Sequence, residues 1–381
     1  MHAKLSASGA HRWSACPASV QAEAAISDRI ATTSIFAEEG TAAHELAALC
    51  LMGGKEPGYW LQKILPDSQW PVTQEMVDHV GEYVKYVRYH AHAGTISQYE
   101  VSVSYGRWVD GGFGTADAII IDGQTLHVID LKYGQGIAVS PIENTQLLLY
   151  ALGAFDDFDF VSNVDTIHLT IVQPRIGQGE AETWVISADQ LLERGEWFRK
   201  RAKLCYAPDP EYVPGEDQCR WCKANVTCTG LAKHIVETLS TEFEDITTPD
   251  SLPSLKQMGA DKLSAALKAR KLIMSWLESI EQYAIQQIDE GVGFPGFKLV
   301  TGRSNRKWAD VEVAEKTLVE LLADAAFNKS LLSPPQAEKV LGKKKAALIA
   351  DLIIKPEGAP ALVREDDPRP AVGGSTVDDF D

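Results

Sequence analysis

The stretch "GTADAIIIDGQTLHVIDLKYGQG", residues 114–136, sets Asp117, Asp130 and Lys132 in or beside two apolar runs that read as buried strands. Burial of charge is expensive unless the charge is paired or holds a metal. Asp130 and Lys132 flank Leu131, so strand alternation points both charged side chains to one face and Leu131 into the core. Asp117 lies on the partner run, across a tight-turn signal at Asp122-Gly123. A two-residue turn there leaves Asp117 near Asp130 but not directly opposite it. Neighbouring carboxylates repel unless a cation sits between them. Mg²⁺, which takes oxygen ligands and retains water, suits that place. A lysine beside it can orient or deprotonate a water and stabilise developing negative charge. A D-x-K triplet alone is commonly a surface ion pair on a half-exposed hairpin, so the surrounding elements decide.

The second chemical group is sulfur. Cys219, Cys222 and Cys228 form C-x2-C-x5-C in "CRWCKANVTC", a pattern that reads as metal or cluster ligation in a cytoplasmic chain. A four-ligand site needs one more, and Cys16 in "HRWSACPAS" is the candidate. Joining residue 16 to residue 219 would close a loop around everything between them. Sulfur in tetrahedral array suits an iron–sulfur cluster and Zn²⁺ alike. Cys50 and Cys205 read as small buried apolar residues.

The elements that must position these groups follow in order. "AEEGTAAHELAALCLM", residues 37–52, predicts a helix ended by Gly53 and Gly54. A second helix is predicted near 72–92, where Tyr83, Tyr86 and Tyr89 form a stripe read as core packing. "SQYEVSVSY", "GTADAIII" and "TLHVIDLKY" predict three strands. "NTQLLLYALGAF" predicts a helix capped by Asn144 or Thr145, and "TIHLTIVQP" a further buried strand. From about residue 245 the pattern becomes mainly helical, broken at "GVGFPGFKLVTGRSNRKW". "EDDPRPAVGGSTVDDFD" reads as an acidic, flexible tail.

Composition narrows the class. The 381 residues are 45% hydrophobic and 23% charged, normal for a soluble globular protein. No run approaches a membrane span, and "MHAKLSASGAHRW" lacks the apolar core of a secretory signal, so a cytoplasmic location is expected. A formal net charge of −17 argues against coating nucleic acid by bulk attraction. It leaves open a local groove that grips phosphates through bound divalent cations.

The order helix, three strands, helix, strand over residues 35–175 resembles the PD-(D/E)XK nuclease superfamily, in its RecB-like branch. "GTAD" matches the first acidic motif, without the proline of the superfamily's name. "DLK" matches the second acidic residue and the lysine, "QLLLY" the Q-x3-Y helix, and "GTAAHELA" the upstream helix with its histidine. The resemblance implies an α/β restriction-endonuclease-like core, a central mixed sheet flanked by helices. It implies Mg²⁺ or Mn²⁺ held by His44, Asp117, Asp130 and the Leu131 carbonyl. Lys132 would position or activate the attacking water, and Gln146 and Tyr150 would support the site and contact DNA. Glu100 enters as a further candidate, with an exposed edge carboxylate as its ordinary reading. One early and three late cysteines resemble the iron–sulfur RecB-like nucleases, implying a 4Fe–4S cluster on Cys16, Cys219, Cys222 and Cys228, with zinc the alternative.

The "CPAS" start and the "GFKLVTGRSNRKW" segment are also similar to a phage and prophage family with no assigned function beyond nuclease resemblance. Arg303, Arg306 and Lys307, with Lys298, Phe297 and Trp308, interleave basic and aromatic residues as a nucleic-acid-binding segment does; a solvated hairpin is the plainer reading. Lys343, Lys344 and Lys345 read as a solvated helix face. The expected organisation is a nuclease domain with its cluster over 1–245, a mainly helical region over 246–365 and a tail over 366–381. The expected activity is that of a metal-dependent DNA exonuclease acting in phage recombination or replication, with a protein of those processes as partner. Two alternatives stand beside it: a non-cleaving DNA-binding or assembly module on a nuclease scaffold, and a zinc-stapled helical adaptor.

Overall fold

The computed structural model describes residues 3–26, 35–176, 181–242, 260–299 and 316–317. The chain divides into two compact units, Met1–Glu290 and Gly291–Asp381. The first is built on a five-stranded mixed sheet in sequence order: β1 (Ile96–Ser104), β2 (Phe113–Asp122), β3 (Thr125–Leu131), β4 (Thr166–Val172) and β5 (Ala181–Ser187). Neighbours are antiparallel except β3 and β4, which run parallel. Parallel neighbours need a crossover, and helix α5 (Thr145–Ser162) supplies it. Asn144 caps it: its Oδ1 accepts the backbone N–H groups of Gln146 and Leu147 at 3.1 and 3.2 Å.

Helices cover both faces. α3 (Ile35–Gly53) and α4 (Gln74–His90) bury Leu46, Val80, Tyr83 and Val84 against Ala118, Ile129 and Leu131. On the other face α5 and α6 (Ala188–Cys205) pack Leu147, Leu149 and Phe198 against Ile119, Ile121 and Val128. Strand β5 and helix α6 continue the fold beyond the strand at 166–172 that closed the expected series. β5 is an edge strand with little buried surface, so it lacks the apolar run that marks β4. The tyrosine stripe divides: Tyr83 is buried, Tyr86 half-buried and Tyr89 exposed. A three-residue step falls about 60° short of a full helical turn, so such a stripe drifts off the core face.

The β2–β3 turn differs from expectation by one residue. Asp122 pairs with Thr125, so Gly123 and Gln124 form the turn, Gly123 with φ 59°. The left-handed conformation at that corner favours glycine. The ladder ends at Ala118–Ile129, with Asp117 and Asp130 each one residue beyond that last pair.

The amino-terminal segment, with α1 (Ala10–Ala15) and α2 (Ser19–Ala24), is tied to the far end of the unit. The Arg201 guanidinium donates to the Ser14 and Ala15 carbonyls. The Ala18 N–H donates to Glu211 O at 3.1 Å. Helices α7 (Glu216–Arg220), α8 (Thr229–Glu242) and α9 (Ala260–Asp289) follow, α8 and α9 packing through Leu231, Ile235 and Leu272. The compact unit thus continues past residue 245 through α9. Among the described residues no helix is long and apolar enough to cross a membrane.

Candidate functional site

The site forms where β1, β2 and β3 meet α3 on one face and α5 on the other, and a local irregularity makes it possible. The β1–β2 ladder passes from Tyr99–Ala118 to Val101–Ala116, stepping over Glu100 and Asp117. Glu100 has φ 46°, an uncommon conformation for a residue with a side chain. Across this point the faces exchange: Tyr99 and Ala118 pack on the α3–α4 side, Val101 and Ala116 on the α5 side. Strict alternation from Ile119 would send Asp117 toward α5. The exchange instead turns it toward α3, where His44 Nδ1 lies 3.2 Å from Asp117 Oδ1.

The other Asp117 oxygen, Oδ2, accepts the Leu131 N–H at 2.7 Å, so β2's carboxylate takes a backbone donor of β3 at the end of their ladder. Asp130 shares the α5-facing side of β3 with Leu126 and Val128 and is 2% exposed. Its Oδ2 lies 2.8 Å from Lys132 Nζ, and its Oδ1 accepts from Gln146 Nε2 at 3.2 Å. Gln146 also accepts from Lys132 Nζ at 3.0 Å and donates to the Tyr150 hydroxyl at 3.3 Å. Gln146 and Tyr150 are four apart on α5, hence on one face. One amide therefore fixes the carboxylate, the ammonium and the phenol together.

Electrostatics reflect this crowding. Burial opposes charge on His44, but the Asp117 carboxylate overrides it and holds the imidazole pKa up to about 9. Burial, then the charge on Asp117, push Glu100 up to about 7, with His44 opposing. Burial raises Asp130 against the pull of Lys132, and the Asp130 charge raises Lys132 against its own burial. Such mutual repulsion between acids is relieved by a cation. The donor atoms of His44, Glu100 and Asp117 all lie within 4.8 Å of one another, an oxygen-rich group with one imidazole that fits a small divalent ion. Asp130 stands beside this group, engaged with Lys132 and Gln146, while Glu100 stands within it.

One further residue belongs to the site that charge patterns do not mark. A Cβ on Gly114 would lie 2.9 Å from Tyr150 Cε1, so the glycine of "GTAD" makes room for that ring. Tyr83, read from the sequence as core, packs in the core with Ala118 and Leu131. Gln173, also buried, holds the loop after the D-x-K strand: its amide donates to the Gly134 and Ile137 carbonyls, and its Oε1 accepts from Val139 N–H.

The cysteines converge as well. Cys16, Cys219, Cys222 and Cys228 line one cavity with Tyr212 and Gln218. Backbone N–H groups of Val213, Gly215 and Leu231 approach the sulfurs of Cys16, Cys219 and Cys228 at 3.4, 3.4 and 3.3 Å. Burial pushes the Cys222 thiol up to about 12 against a hydrogen bond from the Ala224 backbone. Amides aimed at sulfur favour thiolates, the form that ligates metal. Cys50 and Cys205 are fully buried, and the Cys205 thiol donates to the Trp13 and Arg201 carbonyls. Phe297 is exposed and packs edge-on to Phe294. Arg303, Arg306, Lys307, Trp308, the lysines at 343–345 and the acidic tail lie outside the described residues.

Fold and site together define a mixed α/β protein whose five-stranded central sheet, flanked by helices, gathers acids, an imidazole and an ammonium at one end of its strands. The chain belongs to DUF2800, a family described as proteins of unknown function, whose model matches residues 2–370. A solved structure titled "Crystal structure of SSO0001" is similar at 16% identity and a TM-score of 0.25, over 49% of this chain and 85% of that one.

Proposed function

We propose that this protein is a divalent-metal-dependent deoxyribonuclease on a PD-(D/E)XK, RecB-like core, acting as an exonuclease in phage recombination or replication. The observation that carries this reading is the His44, Glu100 and Asp117 donor group set beside the buried Asp130–Lys132 pair. A bound Mg²⁺ or Mn²⁺ would supply Lewis acidity toward a phosphoryl oxygen and a lowered pKa for an attacking water. His44, Glu100 and Asp117 would hold the ion, with Asp130 adjoining them. The Leu131 N–H fixes the orientation of Asp117. Lys132, steadied by Asp130 and Gln146, places fixed positive charge where negative charge develops on the phosphate. Tyr150 braces Gln146 from the next turn of α5.

The same reading assigns a 4Fe–4S cluster to Cys16, Cys219, Cys222 and Cys228, stapling the amino terminus to the segment beyond α6. Backbone amides directed at the sulfurs support a thiolate-bound group there. Structural zinc on the same four thiols is the alternative.

The direct test incubates the protein with end-labelled linear and with circular DNA, with Mg²⁺ and with EDTA. The expected result is Mg²⁺-dependent degradation of the linear DNA that Asp130→Ala and Lys132→Ala abolish. Unchanged cleavage by either variant would remove this site from the mechanism. DNA binding without cleavage in any divalent ion would favour the non-cleaving scaffold instead.

A further inference from the structure

Helix α9 (Ala260–Asp289) is apolar on two sides. One side, with Leu272 and Trp276, packs on Leu231 and Ile235 of α8, and there Ser279 accepts from Asn225 Nδ2 at 2.8 Å. The other side carries Leu267, Met274, Leu277 and Ile285, all exposed. Successive helical residues turn by about 100°, which sets Leu267, Met274 and Ile285 close to half a turn away from Trp276. A surface helix ordinarily presents polar residues on that side. Met274 also lines an open groove beside α7, with Lys271 and Glu278.

The exposed side has the spacing of a coiled-coil seam. Leu267, Arg270, Met274, Leu277, Glu281 and Ala284 follow one another at alternating steps of three and four residues. Charge along the seam selects the partner. Arg270 and Lys271 precede its centre and Glu281 follows it, and none of these three has an ion pair among the described residues. Laid antiparallel on a second copy, the seam sets Met274 against Leu277 at the middle. Arg270 then meets Glu281 on either side, and Leu267 meets Ala284 and Ile285 at the ends. A parallel copy would stack Arg270 on Arg270 and Glu281 on Glu281, and like charges repel. The last turn of α9 holds Asp289 and no basic residue, the reverse of what a helix dipole favours. An antiparallel neighbour brings the positive end of its own helix to that place.

We propose that α9 is a self-association surface: two copies of the chain pair antiparallel through Leu267, Arg270, Met274, Leu277, Glu281 and Ile285. The two-fold axis passes between Met274 and Leu277, and a contact of this kind closes at two copies. Arg270 and Glu281 fix its direction, as polar residues within a seam do. The pairing is independent of the metal-site reading.

The experiment follows sedimentation of the full chain over a concentration series for the wild type, Arg270→Glu, Glu281→Arg and an equimolar mixture of the two variants. The wild type is expected to form a dimer. Each single reversal puts like charges at two symmetry-related places and should weaken self-association about tenfold or more. The mixture recovers both opposite-charge pairs, because one copy then carries two acids and the other two arginines, and it should dimerise again. A wild type that stays monomeric throughout would overturn the proposal. So would a single reversal that leaves the dimer unchanged, or a mixture that associates no more tightly than either variant alone. In a monomeric wild type, slow oxidation of Met274 by hydrogen peroxide would mark another segment of the same chain as the occupant. Should either reversal fail to fold, Leu277→Asp at the centre of the seam carries the test, and a dimer that it leaves intact would overturn the proposal equally.

Discussion

Asp130 shows how much one residue depends on its partners. At 2% exposed its carboxylate is tolerated because Lys132 and Gln146 meet it from two sides. Replacing Lys132 by alanine leaves that charge buried with only the amide, a change that costs about 3 kcal/mol in comparable pairs. We expect a loss of that order in urea unfolding at pH 7, alongside the loss of cleavage. Gly114 makes a second prediction at this scale. A methyl group there would meet the Tyr150 ring at 2.9 Å, and overpacking of this kind costs about 1–3 kcal/mol. Gly114→Ala should displace Tyr150, loosen Gln146 and lower the proposed nuclease activity by more than its effect on stability accounts for. The chemistry-bearing types were readable in the sequence at these positions, because charge in an apolar strand is conspicuous. The demand for glycine was not, since it arises from a ring 36 positions away in the chain.

At the scale of elements, helix α5 carries Gln146 and Tyr150 and is oriented by its cap. Asn144 satisfies two N–H groups of the first turn, and Asn144→Ala should cost about 1 kcal/mol, read from the shift in urea midpoint. Helix α4 is joined to β3 and β4 by three imidazoles at its carboxyl-terminal end. The rings of His90 and His127 lie 4.8 Å apart and those of His127 and His168 4.7 Å apart. Burial, then the neighbouring His168 and His90, depress His127 from 6.5 to about 4, with Asp122 opposing; His90 and His168 are lowered too. Between these values the unfolded chain binds protons that the fold refuses, so stability falls as pH drops. The His127 contribution, read as the difference in thermal midpoint between the wild type and His127→Gln, should be level above pH 7 and decline from about pH 6.5 toward pH 4, where His127 protonates in the fold. A difference that stays level over the whole range would show that other groups govern the pH response. Most elements were legible from periodicity and capping residues. The turn position was missed by one residue, because Asp122-Gly123 supports more than one placement and only the paired strands choose.

Across the whole molecule, the two ends of the first unit meet. Arg12 donates to the Trp221 carbonyl at 3.2 Å and pairs with Glu23 at 2.9 Å, and Glu23 accepts from Lys223 N–H at 2.8 Å. These contacts, like those of Arg201 and Ala18, join the segment of Cys16 to the segment of the later cysteines through bonds that do not involve sulfur. Cys16→Ser should therefore lose iron, labile sulfide and visible absorption in anaerobically purified protein while much of the tertiary fold survives. Cys50→Ser, at a fully buried site remote from that cavity, should keep the full iron content. Equal iron in both variants would dissociate Cys16 from the cluster.

Residue types, strand alternation and helix periodicity made the carboxylate–lysine pair, the helix–strand order and the cysteine spacing readable from the chain alone, because each is a local property. The tertiary structure decided what locality cannot. Paired irregularities at Glu100 and Asp117 exchange the faces of two strands and set an edge acid into one donor group with His44 and Asp117. Such relations arise only when strands distant in sequence pair and twist against one another, and no spacing along the chain encodes them.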